Sequence, residues 1–112
     1  MNTLLFGILE KLRERPILYI GEKSVVGLHL FLCGYFVAYR ETIKTFIGRE
    51  LHDFTDWLAN RYSRSSVVGF RGLLLEKTNG DDEAAFDLFW QEWDEFCKEN
   101  LNEQNENQSV HE

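Results

Sequence analysis

The chain is poor in residues that break or staple a fold. Of its 112 residues one is proline, Pro16, and two are cysteines, Cys33 and Cys97. Two cysteines cannot build a disulfide framework, so stability has to come from a packed core, and the chain reads as cytoplasmic. No run of about 18 apolar residues is present, which argues against a membrane-spanning helix. No basic leader followed by an apolar stretch opens the chain, so no export signal is expected. Cationic residues are also scarce: 12 Lys and Arg stand against 19 Asp and Glu, a formal charge of −7. Phosphate neutralisation needs a positive surface, so broad direct binding of nucleic acid is disfavoured. The three histidines, His29, His52 and His111, do not stand at i, i+3 or i, i+4 to one another, and no cysteine joins them at zinc-ligand spacing. No metal or other cofactor is expected.

Apolar and aromatic residues are abundant, at 44% and 14% of the chain. A chain this apolar can bury a core, and its length suits one domain. Leu4, Leu5, Ile8, Leu9 and Leu12 recur at three- and four-residue spacing, which predicts a helix over 3–15. Pro16 ends it, because proline disfavours the helical region for Arg15 and cannot donate a hydrogen bond. Residues 17–21 read as a short apolar extended segment turned by Gly21. Ser24 is a natural N-cap for a long helix over 25–47, closed by Gly48. Its inward side carries Leu28, Leu32, Tyr35, Phe36, Tyr39 and Ile43, with further apolar residues around it, so it is expected to be central. Gly27 and Gly34 each cost roughly 1 kcal/mol inside a helix, and a close helix approach at both would explain them.

A third helix spans 50–62 with Leu51, Phe54, Trp57, Leu58 and Tyr62 inward. Residues 67–77 fit a short helix or a strand, since Gly69 and Gly72 weaken both; a helix is preferred. The last helix runs from 82 to about 101, with Phe86, Phe89, Trp90, Trp93, Phe96, Cys97 and Leu101 inward. Residues 102–112 are polar and are expected to form a disordered tail. The reading is an all-α protein: one compact domain, 1–101, of about five helices packed around the long central one.

Nothing in the sequence marks an enzyme. Gly21-Glu22-Lys23-Ser24 contains G-x-K-S, but a phosphate loop needs an earlier glycine, and Glu22 would repel phosphate. Cys33 and Cys97 sit in apolar stripes, as small hydrophobes do; the acids around Cys97 would raise its pKa and blunt it as a nucleophile. Ser63, Ser65 and Ser66 lie in a polar break without a nucleophile elbow. No catalytic or cofactor-binding residue is assigned.

The charge is unevenly spread. Residues 80–112 hold 11 acids and one base, Lys98, while residues 1–79 hold 8 acids and 11 bases, so a −10 end is joined to a +3 body. Acids in the first turn of the last helix suit its dipole, and others on its outer face serve solubility. Yet acids at helical spacing repel one another unless a cation intervenes, and a cationic partner would relieve them. Asp81, Asp82, Glu83, Asp87, Glu92, Asp94, Glu95 and Glu99 are therefore the candidate partner-binding residues.

Arg15-Pro16-Ile17-Leu18-Tyr19-Ile20-Gly21-Glu22-Lys23-Ser24, followed by Leu28, Phe31, Gly34 and Tyr35, resembles a pattern in small bacterial proteins linked to polymorphic toxins. Phe54-Thr55-Asp56-Trp57-Leu58 and Phe86-Asp87-Leu88-Phe89 continue it. Over most of residues 13–97 the chain is similar to immunity proteins, the CdiI type of contact-dependent growth inhibition systems being nearest. The resemblance implies a cytoplasmic, non-enzymatic protein that binds the C-terminal domain of one cognate toxin, often a basic nuclease such as a ribonuclease. An acidic helix could cover such an active site as a substrate mimic. The alternative is a helical regulatory or structural subunit that self-associates. Neither reading fixes the oligomeric state, and neither involves a membrane.

Overall fold

The computed structural model describes the backbone of residues 3–111 and the side chains of residues 4–100. Its helices are α1 (Thr3–Glu14), α2 (Pro16–Ile20), α3 (Val25–Ile43), α4 (Arg49–Arg61), α5 (Gly69–Lys77) and α6 (Asp82–His111), with a 3₁₀ turn at Ser66–Val68 leading into α5. No strand occurs among the described residues, and the protein is a small all-α domain. The last helix, expected to end at about 101, continues in its backbone to His111; the side chains of the expected tail at 102–112 lie outside the described residues.

Three local expectations are corrected. Residues 17–21 are not extended. Pro16 stops α1 and at the same time opens α2, because a first helical residue needs no N–H donor. Gly21 closes that turn in the left-handed region at φ 92°, its N–H donating to the Ile17 carbonyl at 3.0 Å. Next, α3 stops at Ile43, where Lys44 takes the left-handed conformation at φ 59°. Gly48 does not cap it; it precedes α4 instead, and what it supplies is space. A Cβ there would stand 2.8 Å from Phe36 Cε2 and 2.9 Å from Phe46 Cζ. Finally, Ile43 does not face inward. Val25, Leu28 and Leu32 are buried, Tyr35, Phe36 and Tyr39 half-buried, and Ile43 exposed. The core thins along α3 toward the end where Arg40 and Glu41 need water.

The core centres on α4 and α6. Phe54 is fully buried and meets Phe89 and Trp93 edge-on at 5.3 Å and Phe96 at 5.5 Å. Such pairs add about 0.5–1.5 kcal/mol each beyond the area they bury. From α1 come Leu5, Leu9 and Leu12, from α5 Phe70, Leu73 and Leu74, all buried in the same cluster. α3 packs against α2, α5 and α6. The closeness expected at Gly27 is real, since an added Cβ would collide with Ile20 of α2. At Gly34 nothing stands within 4 Å.

Candidate functional site

α6 carries all the candidate acids except Asp81, which caps it by accepting a hydrogen bond from the Ala84 N–H at 3.0 Å. The core face of α6 fixes where its remaining side chains point. Phe86, Phe89, Trp90, Trp93 and Phe96 are buried, so residues a turn apart on the flanks are aimed at the neighbouring helices.

Four of those flanking acids are tied to partners within the protein, Asp82 and Glu92 largely out of solvent and Asp94 and Glu99 at the surface. Asp82 reaches the start of α3. Its Oδ1 accepts from the Val25 and Val26 N–H groups at 2.7 and 3.1 Å, and its Oδ2 accepts from the Ser24 hydroxyl at 2.5 Å. Ser24 in turn accepts from the Gly27 N–H, as expected of the N-cap. Glu92 is 6% exposed, not on a solvated flank. It pairs with Arg61 Nε at 3.1 Å, and it bonds the Tyr62 hydroxyl, whose pKa is pushed up by burial first and by Glu92 second. Asp94 receives both Arg13 terminal nitrogens, at 2.8 and 2.7 Å. Glu99 accepts from Trp57 Nε1 at 2.6 Å.

The two arginines are braced as well as paired. Arg13 lies over Trp90 and Arg61 over Trp57, 5.4 and 5.3 Å from the ring centroids. A guanidinium on an aromatic face gains about 0.5–2 kcal/mol and keeps its donors free for a carboxylate. α6 is thereby stapled to α1, α3 and α4. Much of the relief of self-repulsion that the sequence assigns to an outside cation is supplied from within.

Glu83, Asp87 and Glu95 remain. All three are exposed, and none of their side chains has a hydrogen bond or ion pair to another described residue. Glu83 and Asp87 are one turn apart, and Glu95 lies about two turns further and about 120° round the helix from Glu83, so the three acids spread over about 18 Å of the outer face. Asp94 and Lys98 project between and beyond them on the same solvated side. A groove of about 420 Å³ runs between α1 and α6 beside this face, with Phe6, Arg13, Trp90, Trp93, Asp94 and Cys97 in its walls and Glu10 and Glu14 along its α1 side. It holds apolar and aromatic surface with one braced ion pair, two further carboxylates and one thiol.

The titratable groups elsewhere are equally spare. Cys97 is half-buried and its thiol is pushed up to about 11, first by burial and second by Asp94. The direction matches the sequence expectation, but burial outweighs the acids. Cys33 and His29 stand one turn apart on α3, with Sγ 3.5 Å from Nε2. Their separation of four is a spacing that brings side chains together on one helix face, so the expectation that no cysteine joins a histidine at ligand spacing is corrected for this pair. Burial, then the charge of Arg71, holds His29 below its ordinary pKa, so the imidazole is neutral at pH 7. With His52 the pair borders a cavity of about 190 Å³ walled mainly by Leu32, Phe36, Phe46 and Phe70. Among the described residues no group of three or more His, Cys, Asp or Glu side chains could hold a metal ion, and no helix is long and apolar enough to cross a membrane.

Compared with known proteins, the chain matches no family, no curated protein and no solved structure.

Proposed function

We propose that this is an immunity-type binding protein, acting in the cytoplasm without chemistry of its own, that neutralises a cognate basic toxin domain. The reading rests on one observation above the others. Five of the eight candidate acids are engaged by partners within the fold, while Glu83, Asp87 and Glu95 stand unpaired across the outer side of α6. Rigidly mounted, unneutralised carboxylates are suited to meet cations on another molecule, because neither side then has an internal pair to break. A nuclease active site that accommodates a polyanion supplies such cations. Association would be fast and salt-sensitive, and apolar contacts beside the acids would add the affinity that exposed charge alone does not give.

The test is co-expression with the C-terminal domain of a large secreted toxin encoded immediately upstream. Growth is rescued by the wild-type chain and is not rescued by the variant Glu83→Lys, Asp87→Lys, Glu95→Lys. Asp94 is left intact in this variant, because reversing it would also break the Arg13 pair. Failure of the wild type to rescue growth would sink the immunity reading. Full rescue by the triple variant would move the interface away from α6.

A further inference from the structure

The backbones of α1 and α6 stand apart along their groove, and side chains span the gap. Phe6 meets Trp93, with ring centroids 5.4 Å apart. Two turns along α1, Arg13 lies over Trp90 and reaches Asp94, in a pair about half-exposed to solvent. Two features of the walls are unanswered within the protein. Trp90 is 6% exposed, and its indole N–H has no acceptor among the described residues. Buried donors are rarely left so, which points to an acceptor brought from outside. Glu10 and Glu14, one turn apart on α1, are exposed, and neither side chain has a hydrogen bond or ion pair to another described residue. With Asp94 they set three carboxylates against the single cation Arg13.

We propose that this groove receives an arginine residue of the cationic partner, its guanidinium at Glu10 and Glu14 and its backbone carbonyl at the Trp90 N–H. The choice of occupant follows from the chemistry of the walls. Arg13 already lies there as a guanidinium stacked on an indole and forked by a carboxylate, so the groove suits that group. It leaves the carboxylates in excess, which repels an anion and favours a second cation. A guanidinium is flat and weakly hydrated, and it gains from aromatic surface as well as from carboxylates, whereas an ammonium holds its water more firmly. A neutral side chain would leave Glu10 and Glu14 unanswered, and a bare cation would leave Trp90 so. An arginine within a peptide chain answers both, and a volume of about 420 Å³ admits it. The inference rests on the proposed toxin only for the source of the arginine.

The test therefore uses a probe in place of the toxin: N-acetyl-arginine methylamide, which carries the guanidinium and the peptide carbonyls. Titrated into isotope-labelled protein, it is expected to bind in the millimolar range. The indole N–H resonance of Trp90, identified by its loss in Trp90→Phe, should move downfield, as a donor does on meeting an acceptor. That of Trp57, already bonded to Glu99 outside the groove, should stay. Glu10→Gln with Glu14→Gln, both at exposed positions, is expected to leave the helical circular dichroism unchanged and to weaken binding at least fivefold. The uncharged citrulline analogue should bind more weakly by a similar factor, and the lysine analogue should also bind more weakly than arginine. A Trp90 resonance that stays in place at tens of millimolar probe overturns the proposal. So does undiminished binding by the double variant or by the citrulline analogue, and equal binding of the lysine analogue overturns the choice of a guanidinium. If the probe binds as described while the wild-type chain rescues no growth, the immunity reading fails and the groove stands; if growth is rescued and the probe does not bind, the groove fails alone.

Discussion

α6 and α3 invert what their compositions suggest. α6 is the acidic helix, yet five of the eight candidate acids are spent on internal contacts, four of them linking it to α1, α3 and α4. α3 is the apolar helix, yet a full flank of it faces solvent. Counting charges therefore overstates the charge that a partner can meet, and counting hydrophobes overstates burial. What decides is whether a neighbouring element lies within reach. Arg13, Arg61 and Trp57 are placed by the core to meet α6, while nothing in the described chain is placed to meet Leu30 or Val37.

The sharpest way to break this contrast is within α3 itself. Leu28→Ala removes a fully buried side chain and is expected to cost about 2–5 kcal/mol, while Leu30→Ala, two residues along, should stay within about 0.5 kcal/mol of wild type. Urea unfolding measures both, and comparable losses would refute the assignment of the two faces. Within α6 the effects should be graded. Glu92→Ala strips the Tyr62 hydroxyl and Arg61 of their partner and should cost about 1–3 kcal/mol. Asp94→Ala loses a pair that is half-exposed on both sides, so after screening the expected cost is about 1 kcal/mol or less. Asp87→Ala should fall within about 0.5 kcal/mol. A flat series would mean that the α6 acids share one environment.

The smallest effect concerns pH. His29 is held below its ordinary value in the folded state, so the unfolded imidazole binds its proton more tightly. Its contribution to stability is whole above the unfolded pKa of about 6.5 and is lost as the pH falls below it. His29→Gln should therefore flatten the slope of stability against pH on the acid side of 7. An unchanged slope would show that His29 is freely solvated.

Much of the fold was legible. Periodicity placed α1, α3, α4 and α6, because each buries a stripe recurring at helical spacing, while α5 was preferred over a strand without being fixed, and Ser24 was readable as a cap from its place before an apolar run. The short α2 was not, since five apolar residues after a proline fit either a turn of helix or an extended segment. The end of α3 was misplaced because Lys44, not a glycine, takes the left-handed turn. The site was legible only as a set of residues. Asp82, Glu92, Asp94 and Glu99 look like Glu83, Asp87 and Glu95 in the sequence, because what distinguishes them is a partner 30 to 81 residues away. The Asp82 cap had the nearest thing to a signal, an exposed helix start at Ser24 in need of an acceptor.

The division of α6 into tied and free acids is tested most directly by two triple variants with the same change of charge. One neutralises the free acids, Glu83→Gln, Asp87→Asn and Glu95→Gln; the other neutralises the tied ones, Asp82→Asn, Glu92→Gln and Asp94→Asn. Long-range charge effects then largely cancel in the comparison of their urea midpoints. The account predicts that the first variant is as stable as wild type or slightly more so, and that the second loses at least about 2 kcal/mol. Equal losses, or a larger loss in the first, would contradict it.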